Sequence, residues 1–194
     1  VVIKPNRGSG SRGVFFVDRI SGSKKIERQI KSALEKTSEN FCICEEFLFG
    51  EEYSIEVLSR DYNVHEILLV TKRHMNSLAS ALAIEEVYCN EAFKNKIQAL
   101  VNKILNFVKF YKGITHLELI VCKGILFPID IAFRGGGYWI ADVLLKRRIS
   151  QNINLMFIKS LLNEEFHYAI SKVNKGVLIY PRKRYSSEKI RKSF

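Results

Sequence analysis

The apolar positions of this chain fall into short runs and longer stripes, which predict strands and helices in alternation. Val1–Lys4 and Val14–Asp18 read as strands joined by a Gly/Ser/Arg-rich loop. Val1-Val2-Ile3 has the look of a strand continued from an earlier segment, so an excised domain is expected. From Lys24 to Glu39, Ile26, Ile30, Ala33 and Leu34 recur on one helix face behind Ser23 as N-cap. A short strand at Phe41–Glu45 follows. Tyr53, Ile55 and Val57 then alternate through Glu51–Ser59, and Val64–Lys72 is rich in Ile, Leu and Val. The polar Arg60–Asn63 turn between these two strands predicts a hairpin. Asn90–Tyr111 is the longest helical pattern, with Phe93, Ile97, Leu100, Val101, Ile104, Leu105 and Val108 on one face and Gly113 as its stop. Thr115–Cys122 and Ile125–Ala132 form a second hairpin around Lys123-Gly124. Beyond Gly135-Gly136-Gly137 come helical stretches near Trp139–Lys146 and Asn154–Ser171, a strand at Gly176–Tyr180 and a basic tail. Adjacent hairpins make the pairing largely antiparallel. The fold class is therefore α+β, in two lobes: a small one over residues 1–44 and a larger one over 45–194.

Composition changes this picture little. The 194 residues are 47% hydrophobic and 26% charged, the balance of an ordinary globular protein. No apolar run approaches the roughly 20 residues of a membrane span, so no membrane partner is expected. Four cysteines (Cys42, Cys44, Cys89, Cys122) lie in apolar stretches without metal-ligand spacing. They read as buried reduced thiols of a cytoplasmic protein.

The formal net charge of +11 raises the question of a nucleic-acid partner. The basic residues are spread through the helices, with one dense patch from Pro181 to Lys192. No alternation of aromatic and basic residues builds a stacking platform. A solvated basic surface that also serves a phosphate-rich ligand is the preferred reading.

Four constellations carry chemistry. In Lys4-Pro5-Asn6-Arg7-Gly8-Ser9-Gly10-Ser11-Arg12-Gly13, a strand delivers a lysine into a loop with three glycines and two serines. Such a loop brings backbone N–H groups close to an anion. The lysine precedes the glycines and no helix follows directly, which excludes a Walker loop and a dinucleotide fingerprint. A mobile hairpin loop without a ligand is the alternative. In Glu45-Glu46-Phe47-Leu48-Phe49-Gly50-Glu51-Glu52, a strand ends in carboxylates, crosses an apolar turn and restarts with more acid. Its backbone can bond a flat heterocycle and Glu52 a ribose, or the segment is only a solvated acidic turn.

The third constellation is the hairpin that holds Glu118 and Asp130. A two-residue turn sets Glu118 opposite Ile129, whereas one more loop residue sets it opposite Asp130 on the same face. Two carboxylates on otherwise apolar strands repel unless a cation lies between them, and such oxygen ligands suit Mg²⁺. Salt bridges to nearby Lys or Arg are the alternative. The fourth is Arg134, before three glycines, a guanidinium suited to phosphate or carboxylate oxygens. His74 and His116 are weaker candidates, and Arg73 with His74 is a guess for substrate selection.

In this order, and over about Val1 to Asn154, the four pieces resemble the ATP-grasp superfamily. The Lys-Pro and Gly/Ser loop is similar to that of D-alanine–D-alanine ligase, carbamoyl-phosphate synthase and biotin carboxylase, and the acidic turn to that of glycinamide ribonucleotide synthetase. The resemblance implies two lobes clamping Mg·ATP, with Mn²⁺ as a substitute metal. Lys4 would contact the α- and β-phosphates, and Gly8, Ser9, Gly10, Ser11 and Gly13 would cover them. Glu45, Glu46 and Leu48 would surround the adenine, and Glu52 would hold the ribose. Glu118 and Asp130 would ligate the metal. Lys4 and Arg134 would act in catalysis, the arginine on the transferring phosphate or the substrate.

The implied reaction is ATP-dependent activation of a carboxylate, or bicarbonate, as an acylphosphate for attack by an amine. The implied partners are those two small molecules, the family's N-terminal α/β domain, expected elsewhere in the same parent protein, and further copies of the chain. Two positions depart from the family pattern: Asp130 replaces the usual glutamate, and Ala132 the usual metal-binding asparagine. A degenerate ATP-grasp-like binding module and a basic nucleic-acid-binding protein remain as alternatives.

Overall fold

The computed structural model describes residues 1–8, 10–18, 20–62, 64–77, 80–171 and 175–180. The chain divides into two compact units, Val1–Phe49 with Met75–Leu82 and Gly50–His74 with Ala83–Phe194.

The first unit holds a three-stranded antiparallel sheet in the order β2-β1-β3, from β1 (Val2–Pro5), β2 (Phe15–Phe16) and β3 (Cys42–Glu45). Helix α1 (Ser23–Leu34) brings Ile26, Ile30 and Ala33 onto Ile3, Val17 and Cys42. Ser23, expected as the N-cap, is the first helical residue, and Gly22 takes the cap position. Strand alternation turns Ile3 towards this core and leaves Lys4 on the other face.

The second sheet has six strands in the order β8-β7-β4-β5-β6-β9. They are β4 (Glu51–Asp61), β5 (Val64–Ser77), β6 (Ser80–Glu86), β7 (Gly113–Cys122), β8 (Ile125–Ala132) and β9 (Val177–Ile179). Helix α2 (Glu91–Phe107) starts at Asn90, whose side chain accepts from the Phe93 amide at 2.9 Å. It lays Ile97, Val101 and Leu105 on Tyr53, Ile55, Val57, Val70, Leu117 and Leu119. Burying each such aliphatic side chain contributes about 1.5–3 kcal/mol. One face of the sheet is thus committed to the core, and the period of two sends the alternate residues of β4 and β7 to the opposite face.

Four expectations are revised. β6 fills a stretch with no element assigned from the sequence. The last helix, α4, covers only Ile153–Leu162, because Asn163 turns left-handed (φ 58°). The segment Ile140–Leu145 is a π-helical turn running into a short α3, Lys146–Arg148. The cysteines are not deeply buried: Cys44 is exposed and the other three are half-buried. A three-stranded sheet with one helix covers too little surface to enclose Cys42 and Cys44. Among the described residues, no helix is long and apolar enough to cross a membrane.

Candidate functional site

In the first unit, Lys4 and Glu45 share the face of the small sheet that α1 leaves uncovered. The Lys4 ammonium pairs with Glu45 Oε1 at 2.6 Å. The loop beyond β1 turns through Gly10, Ser11 and Gly13, all left-handed (φ 64°, 55° and 81°). Gly13 also lies close to Lys36 and Pro5, where a Cβ would come within 3.0 and 3.2 Å of their side chains. Asn6 and Arg7 both bind Glu39, which fixes the root of the loop. Gly8 lies against Pro5, and Ser9 falls outside the described residues. Glu46 is exposed and Leu48 half-buried in the extended segment after β3. Between them Phe47 packs edge-on to Phe16 and Phe49, with ring centroids 4.8 and 4.6 Å away.

In the second unit, the polar candidates gather on the sheet face opposite α2. Glu118 pairs directly with Asp130 across β7 and β8, and a register shift follows immediately, where Leu119 pairs with Pro128. Ile129 is the extra residue. The turn is closed by Cys122 and Ile125 and keeps two residues, so a bulge supplies the one-residue offset that a longer loop would otherwise have to give. On the neighbouring strand, Glu118 faces Ser54, and Glu52 pairs with Arg73 of β5.

The Arg73 guanidinium is buried and bonds Glu118 Oε1 at 2.6 Å, with its other side near the Tyr138 ring at 5.7 Å. The His116 Nε2 reaches the same Oε1 at 3.2 Å, and its Nδ1 reaches Glu56 Oε1 at 2.5 Å. Burial alone would lower the His116 imidazole, but its bonds to Glu118 and Glu56 win and push it up to about 9. Both ring nitrogens therefore donate at neutral pH. Burial would raise the Glu118 carboxyl, yet the His116 and Arg73 donors hold it below the usual carboxylate range. Glu52 goes the other way: burial raises it, opposed by Arg73 and reinforced by the Glu118 charge.

Glu56 is fully buried, and its second oxygen accepts from the Gly136 amide at 2.9 Å. A Cβ on Gly136 would meet Glu56 Oε1 at 2.3 Å, so only glycine fits there. Arg134 is exposed and donates to the Gly135 carbonyl at 2.7 Å. Past the glycines, Tyr138 and Trp139 are both left-handed (φ 52° and 61°), a costly pairing for side-chain-bearing residues.

Among the described residues, no group of three His, Cys, Asp or Glu side chains could by itself hold a metal ion. Ala132, opposite His116, offers no ligand. The pair Glu118 and Asp130 nevertheless fits Mg²⁺, which takes one or two carboxylates and completes its shell with substrate phosphates and water. Sequence reasoning missed Glu56 and the centrality of Arg73. The signal was present in β4, where Glu52, Ser54 and Glu56 alternate with Tyr53, Ile55 and Val57. A glutamate at the buried end of such a series needs a partner.

A family model of the ATP-grasp domain matches residues 1–142. No curated protein sequence matches the chain. Among solved structures, the biotin carboxylase from Campylobacter jejuni in complex with a β-γ-ATP superposes with a TM-score of 0.74 at 14% identity, covering 91% of this chain and 40% of that one. The N5-carboxyaminoimidazole synthetase from Staphylococcus aureus complexed with ADP gives 0.68 at 16%, covering 92% and 45%. The L-amino acid ligase from Bacillus licheniformis gives 0.65 at 21%, covering 82% and 38%. The chain thus spans less than half the length of each of these proteins, and the likeness establishes the fold.

Proposed function

This chain belongs to the ATP-grasp domain family, and from that premise we propose that it is the Mg·ATP-holding core of a ligase. The substrate is a carboxylate or bicarbonate. Its oxygen attacks the γ-phosphorus, ADP leaves, and an amine then displaces phosphate from the acylphosphate. The observation that carries this reading is the Glu118–Asp130 pair, set side by side across two strands on the sheet face opposite the α2 core.

Residues 1–44 serve as the phosphate-covering lobe and residues 45–194 as the lobe with the metal site. Lys4 binds the α- and β-phosphates, which requires it to exchange Glu45 for phosphate oxygens. The amides of Gly8, Ser9, Gly10, Ser11 and Gly13 close over the same phosphates. Glu45, Glu46 and Leu48 line the adenine, and Glu52 accepts from the ribose hydroxyls. Glu118 and Asp130 would hold Mg²⁺, or Mn²⁺ in its place. When bound, the metal neutralises charge on the phosphate oxygens. Arg134 turns from Gly135 to the transferring phosphate or the substrate carboxylate.

Ala132 favours a second reading, a module that binds nucleotide without turnover, since it removes a metal ligand common in the family. Calorimetric titration with a non-hydrolysable ATP analogue, with and without Mg²⁺, tests the clamp. Magnesium-dependent binding that Asp130→Ala weakens is expected, and absence of binding at millimolar analogue would overturn the reading. A turnover assay with candidate carboxylates then separates ligase from binding module.

A further inference from the structure

A glutamate with no exposed surface is expensive, because a carboxylate leaves water only when its oxygens are fully hydrogen-bonded. Glu56 meets that condition with two partners that belong to different elements. Oε1 takes the His116 Nδ1 proton from β7, at 2.5 Å, and Oε2 takes the Gly136 amide from the glycine run, at 2.9 Å. The other nitrogen of His116 continues to Glu118 Oε1 at 3.2 Å. One unbroken path therefore runs from the Gly136 backbone through Glu56 and His116 to Glu118. Buried ionic groups are weak evidence of stabilisation in themselves, because desolvation offsets their attraction. What the ionic path adds is orientation: it fixes the His116 ring and, through it, the rotation of the Glu118 carboxylate.

We infer that Glu56 is a positioning residue of the metal site. Acting through His116, it turns Glu118 so that His116 and Arg73 engage Oε1 and the carboxylate is held towards the cation. Through Gly136 it also anchors the segment that follows Arg134. Outer partners of this kind set metal affinity without touching the ion. The inference rests on the reading of Glu118 and Asp130 as magnesium ligands.

The experiment is calorimetric titration of the whole chain with AMP-PNP, once in EDTA and once in Mg²⁺, for the wild type, Glu56→Gln and His116→Gln. The glutamine at position 56 keeps an oxygen for Gly136 but presents no charge to His116, and His116→Gln breaks the path at its next link if the first variant does not fold. The expected result is a gain in affinity from Mg²⁺ that shrinks by tenfold or more, to order of magnitude, while affinity in EDTA stays within about twofold. Affinities that fall together in both buffers would reveal a merely structural role and overturn the inference. So would an undiminished magnesium gain in both variants. A wild type with no magnesium gain would instead strike down the metal reading itself, and the inference with it.

Discussion

Glu118 stands directly opposite Asp130 because Ile129 bulges out of β8, while the Lys123-Gly124 turn stays short. The bulge brings two acids to one spot, and Arg73 and His116 supply the positive charge that keeps Glu118 ionised there. Glu118→Gln should therefore cost more than a ligand. It strands the buried Arg73 guanidinium, and breaking a buried pair in this way costs about 3–5 kcal/mol. Chemical denaturation measures that cost, and calorimetry should show loss of magnesium-dependent nucleotide binding in the same variant.

Lys4 offers the opposite profile. Its partner Glu45 is substantially exposed, so the pair is worth at most about 1 kcal/mol to the fold. Lys4→Ala should leave the unfolding midpoint nearly unchanged while weakening nucleotide binding by roughly tenfold or more, the worth of a charge-assisted bond. Equal retention of affinity would remove Lys4 from the phosphate site.

Gly136→Ala tests the packing of the glycine run. Its Cβ would come within 2.3 Å of Glu56 Oε1 and 2.7 Å of His116 Nδ1. Neither neighbour can move without losing a buried bond, so a destabilisation of about 1–3 kcal/mol is expected from urea unfolding. Alanine at Gly137, where no atom lies within 4 Å, is the control and should be nearly silent.

The pH dependence has a definite sign. His116 is raised from 6.5 to about 9 in the folded protein. Its protonated form therefore stabilises the fold fully below pH 6.5, and that contribution, roughly 3 kcal/mol at most, is lost as pH climbs through 9. Glu118 acts at the other end: its carboxyl is lowered, so its contribution is present above 4.5 and fades as acid titrates it. Urea midpoints across pH should fall on both sides of a mildly acidic plateau between 4.5 and 6.5. In His116→Gln the alkaline decline should flatten, and an unchanged decline would assign it to another group.

The strands, the long helix and the two-lobed α+β class were legible because alternation and helical spacing are local properties. Lys4 near the end of a strand, before a glycine loop, was legible for the same reason. What escaped was set by partners distant in sequence. β6 contains Ala81-Leu82-Ala83, a run with little strand preference, and it is a strand because it lies between β5 and β9. Glu56 looked like one more polar residue in an alternating strand. Only Gly136, 80 positions later, and His116, 60 later, make it a buried hub. The bulge at Ile129 was half legible: the sequence posed the choice between two registers, and the bulge realises the one that sets Glu118 opposite Asp130.

β4 presents two chemistries from a single strand, with Tyr53, Ile55 and Val57 turned to the α2 core and Glu52, Ser54 and Glu56 turned away from it. Such a strand counts residues like a ruler with two scales. One inserted residue at its centre would push carboxylates into the oily side and aliphatics into the ionic side at once, with no rotamer able to undo it. Changes of chain length should therefore be survivable at the hairpin tips near Asp61 and Gly124 and ruinous in between, so a scan of single-residue insertions would trace the site's outline without any ligand.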